Sequence, residues 1–343
     1  MLLHGCLVLA LVCCLGHGAV AWNHVTQQQL QDALDSNGYT LVAYSEALEP
    51  EWLAMQETEK DDNIVSFDCH AHSMVCSDLE VASFPAIRLY HRDGRIDRYR
   101  GLRKGREIAM FLHRMLRPPY LETDEHLSGV MTMLDDVVVM AHTQPDDWDF
   151  FDQFRSLANK YRDRFSFVAA PPVGDTSVLV CYSNIDDVKH TASDVVTAGA
   201  MESFINMCAE PLIPDWTEGD DARYRSAGKS IVHYFATSDA EKETYRQEMR
   251  ALAKKYANTL RFTITDANKD PDSLTKFGLK PEVTQKTGLA LENTTTGDIF
   301  LFTGHQDVTA PVVEAFIEDI TRGNVQPWDR RVRKEQISSH DEL

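Results

Sequence analysis

The chain has 343 residues, of which 43% are hydrophobic and 25% are charged, and its 53 acidic and 34 basic residues give a formal net charge of −19. This length predicts two or three domains, each with its own hydrophobic core. The negative charge argues against nucleic acid as a partner, and no stretch beyond the N-terminal segment is long and apolar enough to cross a membrane.

The N-terminal segment has the features of a secretory signal peptide. Residues 7–15 form an apolar run that is too short to span a bilayer. Ala19 and Ala21 are the small residues that a signal peptidase requires before its cleavage site. We therefore expect residues 1–21 to be removed.

Three successive segments of about a hundred residues show the same order of elements, which indicates a repeated domain. In the first, apolar patterning predicts strands at 39–44 and 63–68, a helix at 48–59, and a hairpin of 84–91 and 95–101 that turns at Asp93-Gly94. Ile108, Phe111, Leu112 and Met115 then recur at the spacing of one helix face.

The second and third segments repeat this pattern. The second has predicted strands at 137–142, 165–169 and 177–183, a helix that carries Phe151, Phe154, Ala158 and Tyr161, and a closing helix at 200–208. The third has strands at 231–236, 260–266, 288–293 and 299–302, a helix that carries Tyr245, Met249, Leu252 and Tyr256, and a closing helix at 310–322. Such units form a mixed sheet flanked by helices.

The first segment resembles a thioredoxin-fold domain of the protein disulfide isomerase family. The motifs that carry the resemblance are Leu48-Glu-Pro-Glu-Trp52, Asp68-Cys69 followed by Cys76, Phe84-Pro85, and Tyr99-Arg-Gly-Leu-Arg103. The third segment resembles the second non-catalytic domain of that family through Tyr234-Phe235, Thr265-Asp266-Ala267, residues 277–281 and residues 315–319. The second segment resembles the first non-catalytic domain by position and pattern.

The resemblance implies an α/β fold class with three tandem thioredoxin-fold domains. The expected boundaries are 22–117 for a catalytic-type domain, 119–213 and 216–326 for two non-catalytic domains, and 327–343 for a flexible tail. The third of these domains is the client-binding one in the family.

The catalytic motif of the family is missing. An active domain carries Cys-x-x-Cys between its first strand and the next helix, where the helix N-terminus lowers the pKa of the first thiol. Here Tyr44 is followed by Ser45-Glu46-Ala47-Leu48, and no Cys-x-x-Cys occurs in the 343 residues. Dithiol exchange requires an attacking and a resolving thiol on that turn. Ordinary isomerase activity is therefore not expected.

Four cysteines follow the predicted signal peptide. Cys69 and Cys76, with six residues between them, resemble the auxiliary structural disulfide of the family's catalytic domains. The alternatives are a displaced redox pair, or a metal site with His70 and His72. Cys181 lies in an apolar strand and Cys208 near a helix end, so we expect buried free thiols, and a bridge between them is left open.

Two sets of residues are candidates for client binding. Phe84-Pro85 resembles the cis-proline turn that faces the active site of thioredoxin-fold enzymes, and Arg103 matches an arginine that tunes the thiol pKa there. In the third domain, Met249, Leu260 and Phe277 match positions of an apolar client pocket. The alternative for these three is ordinary core.

Two further signals concern processing and location. Asn293-Thr294-Thr295 is an acceptor triplet for N-glycosylation at a predicted hairpin tip. The tail ends in His340, Asp341, Glu342 and Leu343, which is an endoplasmic reticulum retrieval signal.

The leading hypothesis is a redox-inactive folding factor of the endoplasmic reticulum lumen. Its partners would be unfolded or nascent secretory proteins, or a resident folding or glycoprotein-processing enzyme, together with the retrieval receptor. No cofactor and no metal are predicted. The alternatives are an oxidoreductase that uses Cys69 and Cys76, and an acidic calcium-binding protein.

Overall fold

The computed structural model describes residues 24–193, 195, 197, 199–216, 228–269, 271–279, 288–304 and 306–328. These residues form two compact units, of which the first contains the chain up to Thr123 together with Asp152–Ala169, and the second contains Asp124–Phe151 and the chain from Ala170 onwards. The three-domain boundaries stay a prediction. No helix within the described ranges is long and apolar enough to cross a membrane.

The helices and strands alternate along the described chain. Up to residue 122 they are α1 (Gln27–Ser36), β1 (Tyr39–Ala43), α2 (Glu49–Glu59), β2 (Ile64–Ser66), α3 (Ser73–Asp78), β3 (Ile87–His91), β4 (Ile96–Arg98), α4 (Gly105–Leu116) and β5 (Leu121–Glu122). From there to residue 209 they are α5 (Ser128–Met131), β6 (Val137–His142), α6 (Trp148–Tyr161), β7 (Ser166–Ala170), β8 (Val178–Ser183), β9 (Val188–Ala192) and α7 (Ala200–Ala209). The last group is β10 (Ser230–Ala236), α8 (Asp239–Lys255), β11 (Leu260–Asp266), α9 (Pro271–Lys276), β12 (Gly288–Glu292), β13 (Ile299–Leu301) and α10 (Ala310–Thr321).

Three sheets organise these elements, which confirms the mixed α/β fold with helix-flanked sheets. Their strand orders are β2-β1-β3-β4, β5-β7-β6-β8-β9 and β11-β10-β12-β13. In the first and the last, the central strand pairs in parallel with the next strand along the chain and antiparallel with the one after it. The two share this arrangement because both follow the predicted strand, helix, strand, hairpin order.

The first sheet is covered by hydrophobic side chains on both faces. Leu41 packs with Trp52 of α2 and Phe111 of α4, whereas Val42 packs with Leu30 of α1 and Phe67. Successive side chains of a strand point to opposite faces, so a buried central strand needs an uninterrupted apolar run.

Helix α1 was not predicted from the sequence, although a local signal for it exists. The Thr26 side chain accepts a hydrogen bond from the backbone N–H of Gln29, and the Gln29 side chain accepts one from the backbone N–H of Thr26. This reciprocal capping box satisfies two backbone donors at the helix start.

The expectation of free thiols at Cys181 and Cys208 is wrong. The two cysteines form a disulfide that joins β8 to α7, and both are buried. Sequence could not decide the pairing, because a bridge depends on the Cα–Cα distance, which the fold brings to 6.3 Å across a separation of 27 residues.

Candidate functional site

The turn between β1 and α2 corresponds to the position at which the family that the first segment resembles carries its Cys-x-x-Cys motif. After Tyr44, one 3₁₀ turn at Glu46–Leu48 leads directly into α2. The first turn of α2 carries the carboxylates of Glu49 and Glu51, and Glu51 accepts hydrogen bonds from the backbone N–H of Gly105 and from Lys104 Nζ. Carboxylates thus occupy the positive end of this helix, where a thiolate would otherwise be stabilised.

The Phe84-Pro85 peptide bond is cis, and it lies in a loop before β3. Phe84 is 53% exposed, so its apolar ring is accessible to a partner. Arg103 lies close to this loop, because its Nη2 is 3.4 Å from the Pro85 carbonyl oxygen. Arg103 therefore contacts the backbone of this loop and not a thiol.

A cavity of about 350 Å³ opens beside the Phe84 side chain. Its lining residues are His24, Tyr44, Ser45, Phe67, Asp68, Cys69, His70 and Phe84. At its wall the Tyr44 and Tyr90 hydroxyls lie 2.7 Å apart, and burial, followed by the proximity of Tyr90, raises the pKa of Tyr44 far above its ordinary value. Tyr44 therefore stays a neutral phenol. We call this cavity together with the exposed Phe84 ring the Phe84 face.

The second side of the cavity is formed by a turn that begins at Asp68. One carboxylate oxygen of Asp68 accepts the backbone N–H groups of His70 and Ala71, at 2.8 and 3.1 Å. The bond from Ala71 is the largest cause that lowers the pKa of Asp68. The turn holds Cys69 at the cavity wall.

Cys69 and Cys76 are joined by a disulfide with Cα atoms 5.7 Å apart. Cys76 in α3 is 2% exposed, whereas Cys69 is half-buried and lines the cavity. A thiol-disulfide exchange partner would therefore have to reach the sulfur of Cys69. Among the residues that the structure describes, no group of three or more His, Cys, Asp or Glu side chains is arranged to hold a metal ion.

The three predicted pocket residues of the third sheet do not form one surface. Met249 is fully buried in a cluster that contains Tyr234, with Leu260 packed against it. Phe277 is 8% exposed and belongs to a cluster around Phe235. Tyr234 and Phe235 are consecutive in β10, so the two clusters lie on opposite faces of the sheet. All three side chains contribute to the core in this conformation.

The predicted processing signals fall partly outside the described residues. Asn293 lies in the turn between β12 and β13, where its side-chain oxygen accepts the backbone N–H groups of Thr295 and Thr296. The predicted signal peptide at 1–21 and the retrieval residues His340, Asp341, Glu342 and Leu343 lie outside the part of the chain that the structure describes.

Known proteins and one family model are similar to parts of this chain. Residues 42–114 match the thioredoxin family model. The chain contains a thioredoxin domain. It is also similar to a protein disulfide-isomerase of Aspergillus oryzae, with 23% identity over 308 residues, and to one of Humicola insolens, with 22% identity over 293 residues. Each alignment covers 83% of this chain, but only 56% and 58% of the respective relative.

Two solved structures also align with this chain. Human ERp44, in crystal form II, aligns with a TM-score of 0.36 and 17% identity, and the alignment covers 90% of each chain. The bb fragment of ERp72 aligns with a TM-score of 0.41 and 18% identity, over 62% of this chain and all of the fragment.

Sequence reasoning identified Phe84, Cys69 and His70 of the Phe84 face as candidates but did not assign His24 or Tyr44 to a site. His24 and Tyr44 come from segments about 20 residues apart, and only the fold brings them to Phe84. For Tyr44, its position at the end of a buried strand was a usable signal, because strand ends often carry the residues of a site.

Proposed function

We propose that this chain is a redox-inactive, disulfide-isomerase-like binding protein of the endoplasmic reticulum lumen. The observation that supports it most strongly is the β1–α2 turn, in which carboxylates of Glu49 and Glu51 stand near the helix start and no cysteine is present. The chain spans little more than half the length of its curated relatives, so their activity is not transferred to it. The predicted signal peptide and the retrieval signal support a lumenal location.

The Phe84 face is the proposed binding site for an unfolded or nascent secretory protein, or for a resident folding or glycoprotein-processing enzyme. Its apolar part is the exposed Phe84 ring, and the adjacent loop offers backbone groups to an extended segment. Burial of a half-exposed phenylalanine contributes about 1 kcal/mol to such a complex. An exposed ring and backbone hydrogen-bonding groups support a reversible, non-covalent association with the bound protein.

The test combines a reductase assay with peptide binding. We expect no catalysed reduction of insulin, and we expect Phe84→Ser to weaken binding of a reduced, unfolded protein about fivefold, which corresponds to about 1 kcal/mol. Val173→Ser is the matched control, because Val173 is also an exposed apolar residue but lies in the second unit. Equal affinities of the Phe84 variant and the wild type would refute the binding site.

An oxidoreductase that uses Cys69 and Cys76 is the second candidate, because Cys69 lines the same cavity as Phe84. Insulin reduction that is present in the wild type and lost in Cys69→Ser would favour this candidate over the redox-inactive one. The wild-type assay therefore separates the two functions before any variant is needed.

A further inference from the structure

A second cavity, of about 510 Å³, lies in the first unit and is lined mainly by charged groups. Its charged residues are Arg95, Asp97, Arg98, Arg100, Lys160, Arg162 and Asp163. Five of these are basic and two are acidic, which leaves an excess of three positive charges in a chain with a net charge of −19. We call this the arginine cavity.

The two acidic residues of the arginine cavity already have cationic neighbours. An Asp97 carboxylate oxygen lies 2.7 Å from His91 Nε2 and 3.5 Å from Arg95 Nη1. The Asp163 carboxylate lies 3.9 Å from Arg164 Nε. These partners of the two carboxylates are thus groups other than Arg98 and Arg100.

Arg162 is held by backbone oxygens instead of a carboxylate. Its Nη2 donates to the carbonyl groups of Arg114, Met115 and Arg117, at and just beyond the C-terminal end of α4. The pKa of Arg162 is lowered, first because the group is partly buried and next because the guanidinium of Arg95 is nearby. Arg162 therefore adds to the positive charge of the cavity, which Asp97 offsets in part, because its carboxylate acts on the pKa of Arg162 in the opposite direction to Arg95.

The side chains of Arg98 and Arg100 are exposed, and within the described ranges neither side chain has a hydrogen bond or an ion pair. Guanidinium groups bind carboxylates with two parallel hydrogen bonds, so unengaged arginines at a cavity wall are suited to capture them. Both side chains are exposed at the cavity, so neither belongs to the packed core.

Strand β4 adds a backbone feature to the arginine cavity. It is an edge strand of the first sheet and carries Arg98, and Ile96 on it is 46% exposed. The outer side of an edge strand presents unpaired backbone N–H and C=O groups, to which an extended peptide can add as a further strand.

We propose that the arginine cavity binds an extended acidic polypeptide segment, whose backbone pairs with β4 and whose carboxylates contact Arg98 and Arg100. The charge excess selects acidic side chains, and the edge strand selects an extended backbone. This site is separate from the Phe84 face, since the two cavities share no lining residue.

The test uses a fluorescently labelled peptide of alternating Asp and Glu residues and an Asn/Gln peptide of the same length. We expect the full chain to bind only the acidic peptide, with an affinity that falls as the salt concentration rises. The double variant Arg98→Gln/Arg100→Gln is expected to weaken binding at least about tenfold. Circular dichroism melting checks that the variant folds.

The control is Arg250→Gln/Arg322→Gln, which makes the same change in net charge within the second unit. Its affinity should match the wild type. Equal losses in both double variants, or equal binding of the Asn/Gln peptide, would overturn the proposal, as would inorganic phosphate binding in the absence of peptide binding. Phe84→Ser should leave acidic-peptide binding unchanged, so failure here is distinguishable from failure of the proposed function.

Discussion

At the scale of single residues, the ion pair between Lys242 and Asp266 connects α8 to the end of β11. Lys242 Nζ lies 3.0 Å from an Asp266 carboxylate oxygen, and the Lys242 side chain is mostly buried. Burial by itself would raise the pKa of Asp266, but the hydrogen bond and charge of Lys242, together with the backbone N–H groups of Lys269 and Asn268, outweigh burial, and the pKa falls below its ordinary value of 3.8. The ionised form of Asp266 is thus favoured by folding.

A pH dependence of stability follows from this depressed pKa. The contribution of Asp266 is present above the unfolded-state pKa and is lost as the pH falls through the folded-state pKa, because protonation then removes the pairing. Asp266→Asn should cost roughly 1 kcal/mol near neutral pH and should flatten the acid limb of the stability curve. Urea unfolding at several pH values measures both effects, and an acid limb as steep as that of the exposed-residue control Asp307→Asn would contradict the assignment.

At the scale of elements, the Cys181–Cys208 disulfide joins a central strand to a helix. A cross-link stabilises mainly by restricting the unfolded chain, and its effect grows with the length of the loop it closes. This disulfide closes a separation of 27 residues, whereas Cys69–Cys76 closes one of 7.

Removal of the two disulfides should therefore have unequal effects. Cys181→Ala/Cys208→Ala is expected to lower the free energy of unfolding by about 3–4 kcal/mol, and Cys69→Ala/Cys76→Ala by about 2–3 kcal/mol. Denaturant unfolding of the two double variants compares them directly. A larger loss for the Cys69/Cys76 variant would show that local packing around α3, and not chain entropy, dominates.

At the scale of the whole molecule, the sheets were predictable and the cavities were not. Uninterrupted apolar runs such as residues 41–44 and 138–141 identify central strands in the sequence, because both of their faces are buried. The arginine cavity joins residues 95–100 to residues 159–163, and no local pattern reports such a contact. The family resemblance placed Met249 and Phe277 in one pocket. Only the folded chain shows that the two side chains lie on opposite faces of the sheet.

Entry of the whole chain into the secretory pathway is testable through Asn293. Expressed in a eukaryotic cell with its own N-terminal segment, the chain should carry one N-linked glycan, which peptide N-glycosidase removes with a visible change in gel mobility. Asn293→Gln and Thr295→Ala should both abolish this change, whereas Thr294→Ala should retain it, because the triplet specifies its first and third residues but not the middle one. Persistence of the glycan in Asn293→Gln would refute the assignment.

The short turn between β1 and α2 also limits what a cysteine pair placed there could do. Residues 44–48 close the connection within one 3₁₀ turn, and the helix start that follows is already occupied by Glu49 and Glu51. Two cysteine substitutions within this turn would place both thiols beside these carboxylates. We therefore expect such a variant to gain little dithiol reactivity, because nearby negative charge disfavours the thiolate.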